Sequence, residues 1–440
     1  MDVAHERHRT RTLWLTGILH AFTHLFAVLL IPLYLRIQQD LKLASVGQAT
    51  LLVTIFGTAY FLPSYPLGAL ADRLSRKRLL AVGLAINSLG FLGLSFAPNY
   101  PLALVCVIVG GFGGSFYHPA ATALIARLFP EARGRALGLV GIGASAGFFL
   151  GPLYSGWRAE VTGNWRAPVF EVGLLGLVAA VLFGWLADEE RDPRTSAVSG
   201  AQEVAQSRTG LEFRPSPGRP TKLFPTASLW GFFIATSVLF SLRDFAGSAV
   251  ATASSLFLQN AHGYSTKSAG IALSGIFIAS AVSNPLFGRL SDGGRLGWIT
   301  FVLMMAACMI GIYPYVGRMW MEPLLVAYGF FFMASYPISE AALMESVPDA
   351  VRGRIFGLFI TISGLLSNLS HWAVGSWVEG LGSRAYMVAS YYPLYVVLAI
   401  LVVVSLGALP FLNGLRKREH MDHPHPAAAP LSAMHSPDAS

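Results

Sequence analysis

Long stretches of almost uninterrupted apolar residues alternate with short polar segments along most of the chain. An α-helix needs about 20 predominantly apolar residues to cross a bilayer. Runs of that length predict twelve membrane-spanning helices, numbered spans 1 to 12, near residues 13–35, 46–70, 79–97, 101–126, 136–157, 167–187, 228–258, 267–288, 297–316, 322–346, 355–378 and 386–412. The pattern therefore predicts an all-α membrane protein.

A longer polar stretch separates span 6 from span 7. It is rich in Pro, Ser, Arg and Glu, and its five prolines prevent a regular helix across it. The domain organisation predicted from these boundaries is a cytoplasmic tail (1–12), a first six-helix bundle (13–187), a cytoplasmic linker (188–226), a second six-helix bundle (227–412) and a disordered cytoplasmic tail (413–440).

Composition excludes an ordinary soluble enzyme, because only 12% of the residues are charged, against about 25% in soluble domains. The net charge of +8 is explained by membrane topology. The N-terminus, the linker, the C-terminus and the loops on the same side hold 23 of the 31 lysines and arginines, and the opposite loops hold seven. Positive charge accumulates on the cytoplasmic side, so both termini are predicted to be cytoplasmic. We expect no nucleic-acid partner.

Two sequence motifs recur at nearly one period. Gly68 to Asp72, after span 2, reads like Gly288 to Asp292, after span 8, at an offset of 220. An Arg-Gly-Arg triplet after span 4 recurs after span 10 at an offset of 219. Internal repeats of this kind are typical of transporters built from two halves. They predict two six-helix halves related by a parallel duplication.

Residues 68–78 resemble the loop between helices 2 and 3 of the major facilitator superfamily, with Ser75 in place of a glycine. The resemblance covers the chain through span 12 and implies the twelve-helix fold of that superfamily, with two pseudo-symmetric bundles. It also implies that Asp72 faces the amino end of span 11 and helps to hold the cytoplasmic side shut. The gate residues it implies are Gly68, Asp72, Arg73, Arg76 and Arg354.

Span 5 is rich in glycines at regular spacing. Three of them, four residues apart, form a groove in which another helix can approach closely, and a proline bends the helix locally. The stretch is similar to the helix-5 motif of proton-coupled drug antiporters, which favours export over uptake, although ordinary helix packing uses the same glycines. The motif residues are Gly138, Gly143, Gly147, Gly151, Pro152 and Gly156.

Span 4 departs from the drug antiporters, because Val107 stands where they carry an arginine. Coupling through that arginine is therefore not expected. Residues 111–119, which end in His-Pro, are instead similar to the fosmidomycin-resistance branch, and His20 and His24 in span 1 loosely resemble the same branch.

Polar side chains inside spans are costly in a membrane, so they are candidates for function. All but one lie on spans 1, 4, 7 and 10, which line the central cavity in the resembled superfamily. The predicted substrate and proton pathway comprises His20, His24, His118, Arg243, Asp244, Tyr336, Glu340 and His371.

Spacing suggests roles for several of these residues. His20 and His24 share one helix face and can bind substrate, exchange a proton or hydrogen-bond to a neighbouring helix. Arg243 and Asp244 are adjacent and point about 100° apart, so we expect no simple ion pair between them. We expect Arg243 to attract an anionic or electron-rich substrate group and Asp244 to take a coupling proton. Glu340 is the other candidate proton acceptor or a buried partner of this pair.

The residues together predict a secondary active transporter that exports a small molecule across the bacterial cytoplasmic membrane in exchange for protons. Alternatives are an uptake symporter for a small organic anion, a metal or metal-chelate carrier suggested by the histidines, and a membrane receptor or scaffold without transport. We expect no enzyme, cofactor or resident metal, because one His-x-x-x-His pair falls short of a membrane di-iron site and no Cys or carboxylate completes the histidines. The expected partners are substrate, protons and lipids, with the protein working as a monomer.

Overall fold

The computed structural model describes residues 3–71, 74–188, 223–348 and 351–422. Within these ranges the chain forms helices and turns, and no residue lies in a strand. Eleven helical segments are long and apolar enough to cross a membrane, and Val46–Phe61 is a shorter apolar helix. They occupy the positions of the twelve predicted spans, so the predicted all-α membrane fold is confirmed.

Spans 1 to 6 form the first half of the molecule. Spans 2 and 4 each consist of two helices in sequence, and span 1 consists of two helices joined by the 3-10 turn Ile31–Leu33. The helices are Val3–Val28 and Tyr34–Asp40 (span 1), Val46–Phe61 and Ser64–Ala71 (span 2), Arg76–Phe96 (span 3), Tyr100–Gly114 and Tyr117–Leu128 (span 4), Arg133–Thr162 (span 5) and Arg166–Leu186 (span 6).

Spans 7 to 12 form the second half. Their helices are Ala227–His262 (span 7), Thr266–Ile278 and Ser280–Leu290 (span 8), Arg295–Ile312 (span 9), Met321–Met344 (span 10), Arg352–Leu381 (span 11), and Tyr392–Ser405 and Ala408–Asp422 (span 12). Short 3-10 turns at Ser291–Gly293, Tyr313–Tyr315, Arg318–Trp320, Gly382–Tyr386 and Val388–Tyr391 join them.

Polar residues fix where the helices begin and end. The side chains of Ser45, Asn99, Thr226 and Ser265 each accept a backbone N–H in the first turn of spans 2, 4, 7 and 8, which satisfies donors that the helix leaves free. Gly163 ends span 5 with a φ of +67°, a left-handed conformation that glycine adopts without a Cβ clash. The short loops therefore carry their own helix-stopping signals.

Both chain ends differ from the sequence prediction. Span 1 begins at Val3, within the predicted tail, because its polar residues find partners: Arg11 and Thr12 each donate a hydrogen bond of 3.3 Å to Asp188. Residues 413–422, predicted to be disordered, continue the last helix instead. Leu415, with 1% of its surface exposed, anchors this extension. Most of the predicted linker, residues 189–222, lies outside the described residues.

The two halves are packed by the same scheme. In the first half, span 1 packs against span 5, span 2 against span 4, and span 3 against spans 4 and 6. In the second half, span 7 packs against span 11, span 8 against span 10, and span 9 against spans 10 and 12. Adding six to each span number in the first half gives the packing pairs of the second half. The predicted pseudo-symmetry is therefore present in the helix packing.

The most extensive contacts between the halves are made by two helix pairs, span 2 with span 11 and span 5 with span 8, and the same pseudo-symmetry exchanges these pairs. Twelve crossings return the chain to the side of the membrane on which it starts. We call this face of the molecule the termini side and the opposite face the far side. On the far side Arg36 Nε donates to Thr266 Oγ1 at 2.8 Å, and Ser255 Oγ donates to the Ile31 carbonyl at 2.7 Å. These bonds hold the halves together at the far side.

Candidate functional site

Three histidines from spans 1 and 4 meet inside the first half, and each is partly exposed. His20 and His24 lie one turn apart, with their Nε2 atoms separated by 3.0 Å. His118 approaches them from the second helix of span 4, so that one ring nitrogen of each histidine lies within 4.8 Å of the others. We call these three residues the histidine cluster.

Hydrogen bonding indicates the tautomer of His20. Its Nδ1 lies 3.0 Å from the carbonyl oxygen of Val140 on span 5. A carbonyl can only accept, so Nδ1 carries the proton and Nε2 has a lone pair. When both rings are neutral, His24 Nε2–H then donates to this lone pair. Among the described residues, none forms a hydrogen bond with the His118 ring, so its nitrogens are available to a ligand.

Aromatic side chains border the histidine cluster. Tyr117 stacks on His20, with ring centroids 4.7 Å apart, and Phe148 of span 5 lies 4.3 Å from the His24 ring. Phe148 in turn stacks on Phe277 of span 8 at 5.0 Å. A single aromatic ring, that of Phe148, therefore separates the histidine cluster from the second half of the molecule.

The prediction that Arg243 and Asp244 would not form an ion pair is wrong. Arg243 Nε donates to Asp244 Oδ1 at 2.8 Å, although the two Cβ atoms point in different directions. The long arginine side chain curls around the helix to reach its neighbour. Its Nη1 also donates to Ser339 Oγ at 2.7 Å, and the guanidinium lies 4.2 Å from the Tyr336 ring centroid.

Arg243 is consequently a packed residue rather than a free cation. Only 1% of its surface is exposed, and span 10 covers it through Ser339 and Tyr336. Asp244 is also buried, with 9% exposed. The predicted attraction of an anionic substrate to Arg243 therefore requires the arginine to leave these partners.

Glu340 lies one residue beyond Ser339 on span 10 and is partly exposed. The charges of Arg243 and Asp244 act on its carboxyl group. Even so, Glu340 forms no ion pair or hydrogen bond with any residue that the structure describes. The site thus contains one paired carboxylate and one carboxylate without an ion-pair partner.

His371 lies apart from the histidine cluster, in a bridge between the halves. Its Nδ1 is 2.6 Å from Thr252 Oγ1 of span 7 and 3.5 Å from Tyr34 Oη of span 1. Sequence patterns do not distinguish Tyr34 or Thr252, because a tyrosine or threonine within an apolar run is common. Tyr34 Oη and Thr252 Oγ1 lie 3.3 Å apart, although the two residues are separated by 218 positions in sequence. This contact joins the first half to the second.

The predicted gate residues fall partly outside the described ranges. Asp72 and Arg73 lie outside them, and so does their predicted pairing with the start of span 11. Gly68 lies in the second helix of span 2, Arg76 begins span 3 with 4% of its surface exposed, and Arg354 is exposed in the first turn of span 11. The gate remains a prediction.

The corresponding loop of the second half is fully described. Arg295 bonds Asp292 at 3.3 Å and Glu345 at 2.6 Å. The hydrogen bond from Arg295 holds the pKa of the Glu345 carboxyl below its usual range. The repeated motif therefore ties the end of span 8 and the start of span 9 to the end of span 10.

The span 5 glycines lie in two different environments. A Cβ on Gly143 or Gly147 would meet the backbone of span 1 at Gly17 or Ala21, and one on Gly151 would meet Val28. Span 1 therefore lies in the predicted groove, and Pro152 stays within the continuous helix. Gly156 contacts span 8 of the other half, whereas a Cβ on Gly138 would meet nothing within 4 Å.

A family model described as Major Facilitator Superfamily matches residues 13–371. The chain belongs to the major facilitator superfamily. Among its relatives, this superfamily member is 29% identical to the quinolone resistance protein NorA of Staphylococcus aureus, over 56% of this chain and 57% of NorA. It is 26% identical to multidrug resistance protein 1 of Bacillus subtilis, over 69% of this chain and 73% of that protein. The match thus spans little more than half of NorA.

Solved structures of the superfamily share the fold. Two crystal structures of a bacterial homologue of the human lysosomal transporter Spinster, both inward-facing, cover 96% of this chain and 99% of their own. Their TM-scores are 0.69 and 0.70, at 16% and 17% sequence identity. The protein is therefore a multi-pass membrane transporter of this superfamily with the twelve-helix architecture.

Proposed function

We propose that this transporter exports a small molecule from the bacterial cytoplasm in exchange for protons, by alternating access between its two halves. One observation carries the proposal. Glu340 lies inside the second half, beside the Arg243–Asp244 pair and without an ion-pair partner among the described residues. A carboxyl group in this position can gain or lose a proton without breaking an ion pair.

Charge balance explains why such a group suits proton coupling. Arg243 and Asp244 neutralise each other, so the ionised form of Glu340 leaves one net negative charge between the helices. Unbalanced charge inside a membrane protein is costly and marks ion pathways. Protonation of Glu340 makes the group of three electrically neutral. The ionised and protonated forms of Glu340 are therefore stabilised by different environments. A proton can drive a conformational change only if the two conformations differ in this way.

Two features support the direction of transport. NorA and multidrug resistance protein 1 are named for resistance, which removal of a compound from the cell produces. The excess of Lys and Arg on the termini side supports a cytoplasmic location for both termini, so that the far side faces outwards. Export is then movement from the termini side to the far side.

The test is proton-driven transport in proteoliposomes. Purified protein is reconstituted with a pH gradient, a quinolone serves as the first probe because of the NorA relationship, and a pH-sensitive dye reports proton movement. We expect quinolone flux coupled to proton counterflow in the parent protein. Glu340→Gln should abolish the coupled flux, because the amide cannot exchange a proton.

A matched control makes the result specific. Glu379 is an exposed glutamate on span 11, and Glu379→Gln applies the same chemical change outside the proposed pathway. We expect this variant to transport normally. Normal coupled flux by Glu340→Gln, with the variant folded and monodisperse, would remove Glu340 as the proton carrier. Uptake instead of export under the same gradient would reverse the proposed direction.

A further inference from the structure

The histidine cluster has the dimensions of a transition-metal site. Zinc binds imidazole nitrogen at about 2.0–2.1 Å, so two nitrogens on one tetrahedral ion lie about 3.3 Å apart. The Nε2 atoms of His20 and His24 are 3.0 Å apart, already close to that separation. His118 completes a set whose ligand atoms all lie within 4.8 Å of one another. A side-chain rotation that shortens the longest nitrogen–nitrogen separation by about 1.5 Å would bring all three nitrogens within bonding distance of one ion.

The carbonyl of Val140 prepares His20 for this role. Histidines that bind a metal almost always donate their other ring N–H to a carbonyl or carboxylate, which fixes the tautomer and the ring orientation. The bond from His20 Nδ1 to Val140 leaves Nε2 unprotonated and directed at His24. Simple packing of three aromatic rings requires no such orientation. The Tyr117 ring, stacked on the His20 ring, further restricts the rotation of His20.

The donor set selects a class of metal. Three neutral imidazoles, with no thiolate or carboxylate in the described cluster, suit zinc, copper, nickel and cobalt, whereas magnesium and calcium prefer oxygen ligands. Three ligands leave a fourth tetrahedral position open. We propose that His20, His24 and His118 bind one divalent late first-row transition-metal ion, whose open position accepts water or a donor atom of the transported molecule.

Binding itself does not depend on the proposed export function, although a role of the ion in transport rests on it. The ion can reach the site alone or as a complex with a chelating compound. A quinolone carries a ketone and a carboxylate that chelate divalent ions, so it serves as the chelate probe. Metal binding is measured without a proton gradient, so that failed binding leaves the export proposal intact, and failed coupled flux leaves the metal site intact.

Equilibrium dialysis of the purified full chain in nanodiscs, with Co²⁺ or Zn²⁺ alone, tests the site. The background variant carries alanine at the histidines near the C-terminus, so that they cannot bind the ion: His420, His423, His425 and His435. We expect one ion per chain, with visible cobalt absorption bands of tetrahedral geometry. His24→Ala and His118→Ala should each weaken binding by about 100-fold or more, since loss of an outer-sphere partner already costs about 10–100-fold.

His262→Ala is the matched control, because this histidine contacts Phe257 at the far end of span 7, and it should bind the ion like the background protein. Equal binding by His24→Ala and the background protein would overturn the proposal, as would absence of stoichiometric binding. Tighter ion binding in the presence of a quinolone would show that the open position accepts the chelating compound, and unchanged binding would show that the ion binds alone.

A second measurement avoids substitutions within the cluster. Zinc K-edge X-ray absorption on the background variant should show three imidazole ligands and one further oxygen or nitrogen donor, all at about 2.0 Å. A shell of oxygen ligands alone, or a thiolate ligand, would contradict the assignment even if His24→Ala failed to fold.

Discussion

The contact between span 5 and span 8 allows a test of how the two halves separate. Gly156 of span 5 faces backbone atoms of the other half: a Cβ at this position would lie 2.7 Å from the Thr266 carbonyl oxygen and 3.1 Å from Gly270 Cα. Ordinary contact begins at 3.4 Å, so Gly156→Ala requires the two helices to move apart by about 0.7 Å, and tightly packed cores resist such movement. The variant should therefore disfavour the conformation in which the far side is closed.

The size of the effect follows from overpacking. An added methyl group in a tightly packed contact costs about 1–3 kcal/mol, and this cost applies only while the halves are in contact. It corresponds to about a 5- to 150-fold shift in the equilibrium between far-side-closed and far-side-open states. Alanine also stabilises a helix by about 1 kcal/mol relative to glycine, but that gain is the same in both states and cancels.

Electron paramagnetic resonance distances across the far side measure the shift. Spin labels at Lys42 and Lys267, which are exposed in opposite halves, should report a larger fraction of long distances in Gly156→Ala. Gly138→Ala is the matched control, because it makes the same change in the same helix where a Cβ would meet nothing within 4 Å. Equal distance distributions in the two variants would refute the argument that this contact stabilises the closed far side.

Two further predictions concern stability. Arg243→Met should lower the free energy of unfolding by about 3–5 kcal/mol, because it leaves Asp244 buried without its partner. Adding Asp244→Asn to this variant should restore part of the lost melting temperature. No restoration would argue against the ion pair. The Glu345 pKa is lowered by Arg295, so the stability gained from this pair is present above the usual glutamate pKa of about 4.3 and is lost as the pH falls through the lower, folded-state pKa. The difference in melting temperature between wild type and Glu345→Gln should therefore shrink in acid, and a difference that persists there would disprove the assignment.

The fold was predictable because a membrane leaves the backbone few choices. Apolar runs of span length must be helices, since hydrocarbon offers no other hydrogen-bond partners, and the repeated loop motifs indicated two halves. The exceptions lie where the chain leaves the membrane. Residues 3–12 and 413–422 have polar sequences, and they are helical because of specific contacts such as those of Arg11 with Asp188 and the buried Leu415.

The candidate site was predictable only as a list of residues. A spacing of four placed His20 and His24 on one face, but nothing in the sequence brought His118, 94 positions after His24, to the same point. The direction of Cβ was an insufficient guide to Arg243, because its side chain is long enough to turn towards Asp244. Local geometry can be derived from spacing, whereas side-chain reach and tertiary packing require the structure.

The two halves contribute different chemistry, and the difference favours the proposed exchange of substrate for protons over cotransport. The first half offers the three imidazoles of the histidine cluster, whereas Arg243, Asp244 and Glu340 in the second half together carry one net negative charge when Glu340 is ionised. That negative charge attracts a cationic ligand between the halves, and protonation of Glu340 removes the attraction. Because such coupling is reciprocal, a bound cation equally disfavours protonation. Under the proposed export function, a proton and a cationic or metal-bound substrate therefore replace each other.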